Sequence, residues 1–92
     1  MRAREVFRTR DRYRNGFIEA VIWHVPLPVT PSMHPYKYRL VYVVEGKRVV
    51  GYDNERGKGD HKHLGNREEP YAFTTPQQLM VDFMADVERV ST

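Results

Sequence analysis

The chain has 92 residues, no cysteine and a formal net charge of +3, which is the size of one small domain with a single core. Lack of cysteine excludes a disulfide framework, thiolate nucleophiles and thiolate metal sites. No apolar run has the length of a membrane span, and Met1-Arg2-Ala3-Arg4-Glu5 runs into alternating arginines rather than a signal core. The expected setting is therefore the cytoplasm, with no membrane partner.

The first 14 residues carry six arginines (2, 4, 8, 10, 12 and 14) against Glu5 and Asp11. Asn15-Gly16 predicts a two-residue hairpin turn, because both central residues need positive φ. That turn pairs Arg14 with Phe17, Tyr13 with Ile18 and Phe7 with His24. Alternation then puts Phe7, Thr9, Asp11 and Tyr13 on a core-facing side with Ile18, Ala20, Ile22 and His24. Arg8, Arg10, Arg12 and Arg14 fall on the other side, beside Phe17 and Trp23. Four like charges on one strand face suit a polyanion, and the two aromatic rings could stack on unpaired bases. His24 reads as a satisfied core residue, and Trp23 as cover for the sheet.

Pro26, Pro28, Pro31 and Pro35 make residues 26–35 a stiff connection, in which His34 receives no role. Tyr36 to Val44 alternates Tyr36, Tyr38, Leu40, Tyr42 and Val44 against Lys37, Arg39, Val41 and Val43, and Glu45-Gly46 turns it back into a strand over 47–53. Tyr71-Ala72-Phe73 could add a short strand. Thr75-Pro76-Gln77-Gln78 opens a helix as a capping box with proline at its first position. Leu79, Met80, Phe83, Met84, Val87 and Val90 form its apolar stripe, with Asp82, Asp86 and Arg89 off it. The fold class is α+β over residues 1–92: an antiparallel sheet of two hairpins, four to five strands, with one C-terminal helix packed on it.

Between strand and helix lies the stretch richest in chemistry. Residues 51–63 read Gly-Tyr-Asp-Asn-Glu-Arg-Gly-Lys-Gly-Asp-His-Lys-His, which concentrates proton-transfer groups, cations and glycines in an expected loop. His61 and His63 stand two apart, so on extended chain their rings share a side and could serve as acid and base. Lys58, Lys62, Arg56 and Arg67 could bind phosphate or stabilise charge developing on it. Asp53 or Asp60 could orient a histidine, although Asp53-Asn54 equally suits a strand end that bonds its own backbone. Asp53, Asp60, His61 and His63 are all able to ligate a metal, but neighbouring residues rarely fill a tetrahedral shell and no familiar zinc spacing is present. No metal and no cofactor are expected.

Val50-Gly51-Tyr52-Asp53-Asn54, Gly57-Lys58-Gly59-Asp60-His61-Lys62-His63, Glu69-Pro70-Tyr71-Ala72-Phe73 and the Leu79–Phe83–Asp86 helix together resemble the TumE-like family of small toxins from toxin–antitoxin modules. The likeness covers most of residues 36–90. It implies a cytoplasmic toxin with an antitoxin partner, usually a helix-turn-helix DNA-binding protein, and it leaves a homodimer open.

Joined to the residue reading, the expected function is a toxin that cleaves RNA as a metal-independent endoribonuclease. The catalytic candidates are His61, His63, Lys58, Asp60 and Asp53. RNA would be held by Arg8, Arg10, Arg12, Arg14, Lys62 and Arg67. The alternative is a non-enzymatic domain that binds a nucleic acid or protein through the arginine face.

Overall fold

The computed structural model describes residues 2–91. Six strands come first: β1 (Arg4–Tyr13), β2 (Gly16–His24), β3 (Tyr36–Val44), β4 (Lys47–Glu55), β5 (Gly59–Leu64) and β6 (Arg67–Pro70). Helix α1 (Pro76–Ser91) follows them. The strands form one antiparallel sheet in the order β1-β2-β3-β4-β5-β6, so each pairs with its neighbour in the chain. The α+β class holds, with six strands instead of four to five.

The additional strands arise where a loop was expected. Residues 59–64 pair with β4 and residues 67–70 with β5, although neither stretch has an apolar alternation. Tyr71-Ala72-Phe73 lies just beyond the ladder. Polar chain can pair because the ladder satisfies backbone groups whatever the side chains are.

Helix α1 covers one face of the sheet. Ile18, Ala20 and Ile22 of β2, Tyr38, Leu40 and Tyr42 of β3, and Val50 and Tyr52 of β4 meet Leu79, Phe83 and Val87 there. Each of these eleven side chains is buried, which makes this layer the core. Thr75 caps the helix as expected, its Oγ1 accepting from the Gln78 N–H at 3.0 Å. The reciprocal half of the capping box is not formed, since the Gln78 amide donates to Asp82 at 2.8 Å. Val90, expected on the apolar stripe, is exposed, and Asp86, expected off it, is buried.

Glu45 (φ 51°) and Gly46 (φ 76°) make the expected turn between β3 and β4. The first hairpin turns one residue earlier than expected. Tyr13 pairs with Gly16 and Arg12 with Phe17, so the turn is Arg14-Asn15, with Arg14 at φ 53°. Relative to the expected pairing the ladder has slipped by two residues, which leaves every side chain of residues 7–13 on its expected face. Gly16 is needed for a different reason: a Cβ there would stand 2.3 Å from the Val43 carbonyl oxygen on β3.

Candidate functional site

The face of the sheet away from α1 carries the arginine row and the histidine pair together. Reading across the ladders, Arg8 and Arg10 neighbour Val21 and Glu19, which neighbour Arg39 and Val41. Those in turn neighbour Asp53 and Gly51, which pair with His61 and His63, and Pro70 and Glu68 close the face. Four strand spacings separate the arginines from the histidines, about 19 Å. Trp23 and Phe17 stand on the same face, with the Arg8 guanidinium 6.0 Å from the Trp23 ring and that of Arg10 5.3 Å from Phe17.

The row is partly neutralised. Arg8 bonds Glu5 at 2.8 Å, and Glu19 lies 3.7 Å from Arg10 and 3.9 Å from Arg39. Arg12 has no acidic partner among the described residues. Beside it a cleft of about 440 Å3 is lined by Arg10, Arg12, Phe17 and Val43, among others. Arg14 leaves the row, because the turn places it at the helix, where it and Tyr13 both bond Glu88.

At the histidine end, His61 is 4% exposed. Its Nδ1 lies 3.1 Å from the Gly59 carbonyl and its Nε2 only 2.5 Å from Asp53 Oδ1. That second approach is not aligned as a hydrogen bond, and both atoms are buried with no hydrogen-bond partner among the described residues. The His63 ring stands edge-on to that of His61, with centroids 5.0 Å apart, and retains access to solvent. Burial first, and then the Arg48 guanidinium, hold the His63 imidazole below its ordinary pKa, so it is neutral at pH 7. Arg48 reaches this spot because Gly51, opposite His63, has no side chain: a Cβ there would stand 2.7 Å from the arginine Cδ. Lys58, in the turn between β4 and β5, bonds Glu68 at 2.7 Å, which raises the ammonium pKa. A depression of about 300 Å3 wraps this edge of the sheet, lined by Lys58, Asp60, His61, Glu68, Glu69 and Pro70, with Asp60 and Glu69 reaching it from the helix side.

The structure does not bring the remaining candidates to this face. Asp60 pairs with Asn54 on the helix side, where it accepts from Ser32 and from Tyr38 at 2.7 Å and meets His34 Nε2 at 2.7 Å. His34 stacks on Phe73 at 3.8 Å. Lys62 also points to the helix, 3.2 Å from Asp86. Arg67 is exposed and 3.5 Å from Glu69. Asp82, Asp86 and Glu88 form no free acidic patch: Tyr71 bonds Asp82, Tyr52 and Arg89 bond Asp86, and Tyr13 and Arg14 bond Glu88. Sequence reasoning gave no role to Arg39, Arg48 or Glu68. Arg39 was visible as an outward position of β3, whereas alternation puts Arg48 on the side of Val50 and Tyr52, and only the irregularity in the β3–β4 ladder turns it outward.

A family model described as toxin TumE matches residues 2–91. The chain belongs to the TumE toxin family. No curated protein and no solved structure matches it. Membership covers the whole arginine-to-histidine face and the helix behind it, and makes a toxin role the frame for the site. No helix among the described residues is long and apolar enough to cross a membrane.

Proposed function

We propose that this TumE-family toxin acts on RNA, cleaving it at the histidine end of the uncovered sheet face. The observation that carries the reading is the shared face: Arg8, Arg10, Arg12 and Arg39 with Trp23 and Phe17 at one side, and Asp53, His61 and His63 at the other. Cations and aromatic rings beside each other suit single-stranded nucleic acid. His63, neutral and open to solvent, is the group able to take the proton of an attacking ribose 2′-OH. His61 is a positioning residue, with its ring against His63 and its nitrogens turned inward. Lys58 and Arg48 supply positive charge for the phosphorane, while Arg56 lies beside Leu27 and Pro28 of the proline connection. Asp60, Lys62 and Arg14 have no part, since each is held on the helix side.

An antitoxin would silence such a surface most simply by laying an acidic segment over the arginines. RNA incubated with the purified protein in EDTA tests the reading. His63→Ala should lower cleavage by about a hundredfold or more, the lower end of general acid–base contributions, and should relieve growth inhibition. Wild-type RNA binding without cleavage would instead favour a toxin that blocks its target by binding.

A further inference from the structure

The deep burial of His61 leaves an imbalance that the cleavage reading does not use. A carbonyl oxygen only accepts, so the 3.1 Å contact with Gly59 assigns the Nδ1 proton to that bond. In the tautomer with that single ring proton, the lone pair of Nε2 faces Asp53 Oδ1 at 2.5 Å, and neither atom has a hydrogen-bond partner among the described residues. Two electron-rich atoms in a buried place need a positive centre between them. His63 supplies a third donor, and the ligand atoms of Asp53, His61 and His63 all lie within 4.8 Å of one another.

We propose that Asp53, His61 and His63 form a binding site for one divalent first-row transition-metal ion, with zinc as the type. Two imidazoles and a carboxylate, without sulfur, are the donor set for such borderline ions. Two ligands on a tetrahedral zinc stand about 3.3 Å apart, given bonds of about 2.0–2.2 Å. Asp53 and His61 therefore part by less than 1 Å, and a turn of the half-exposed His63 ring closes the third bond. The Gly59 carbonyl behind His61 is the outer-shell contact that fixes the tautomer of a metal-bound histidine. Glu68 Oε2, 4.0 Å from Nε2 of both histidines, stands next to the remaining coordination position.

The site is independent of RNA cleavage, but the two bear on each other. A His63 nitrogen bound to a metal cannot accept a proton, so the loaded protein is the silent form of the proposed nuclease. Loading would thus be a second brake beside an antitoxin, and it reverses the expectation of no metal drawn from the residue spacing.

The test is titration of the full chain, without a histidine tag and stripped with a chelator. Zn2+ is followed by calorimetry and Co2+ by visible absorption. One ion should bind per chain. Asp53→Asn and His63→Ala should each weaken binding by more than about a hundredfold, since changes to outer-shell partners alone cost about 10–100-fold. As a check needing no variant, Zn2+ should shift the ring resonances of His61 and His63 and leave those of His24 and His34 in place. The proposal is overturned if the wild type shows no saturable binding, if His63→Ala titrates like the wild type, or if the shifts fall on His24 or His34. None of these results depends on whether RNA is cut.

Discussion

Asn54 shows how a residue legible as a strand terminator becomes a structural lock. Its side-chain oxygen accepts from the Tyr38 N–H at 3.0 Å and its amide donates to the Tyr36 carbonyl at 2.8 Å, with the whole side chain buried. Replacing it with Ala strands a buried donor and an acceptor, so Asn54→Ala should cost roughly 2–4 kcal/mol in urea unfolding. A loss under about 0.5 kcal/mol, the size of an ordinary surface change, would contradict this role. The neighbouring Asp53 points to the other face. Two adjacent polar residues at one strand end thus serve different sides of the sheet, by the period of two that the sequence does display. What the sequence could not display is the set of partners of Asp60, because Ser32, His34 and Tyr38 come from the proline connection and β3. A buried carboxylate held by distant residues leaves no local pattern.

At the level of elements, legibility followed the apolar alternation. β3 has the expected boundaries, and the turn at Glu45-Gly46 and the cap at Thr75 lie where their chemistry put them. β5 and β6 were hidden because their outward positions hold His61, His63 and Glu68, and their inward ones Asp60, Lys62 and Glu69. The edge strand β1 was readable in face and not in register. Its arginines permit a prediction for the RNA reading. Arg8, Arg10 and Arg12 changed together to Ala should weaken RNA binding and flatten the log–log dependence on salt by up to about 2, at about 0.7 per lost single-strand contact. Partial pairing of Arg8 with Glu5 and of Arg10 with Glu19 makes that an upper bound. An RNA affinity that does not change between low and high salt in the triple variant would mean that the row only solubilises an edge strand.

Over the whole molecule, the buried phenols of Tyr38 and Tyr52 and the half-buried one of Tyr71 couple the fold to pH. Burial first, and then hydrogen bonds to Asp60, Asp86 and Asp82, raise the pKa of Tyr38, Tyr52 and Tyr71 well above the ordinary tyrosine value. Below about pH 10 the phenols are protonated in both folded and unfolded chains, so they add no pH dependence. Above it the unfolded chain releases protons that the folded one keeps, and stability falls by about 1.4 kcal/mol per pH unit for each such phenol. Denaturant unfolding between pH 9 and 11.5 should show this decline, and Tyr52→Phe should reduce its slope by one proton's share. Stability that stays level through that range would show that these phenols ionise in the folded state.

The meander order has a further consequence, in the time taken to fold. Every strand finds its partner in the next stretch of chain, so the sheet has no crossover to thread and its contacts are local for a β-rich protein. Local contacts close small loops, and small loops close fast. Asp53, His61 and His63 belong to the single hairpin of β4 and β5, whose turn has three residues against eleven in the β2–β3 connection. The groups that define the site can therefore be brought into register by one early, local event, before the helix that follows all six strands settles on the opposite face and fixes them there.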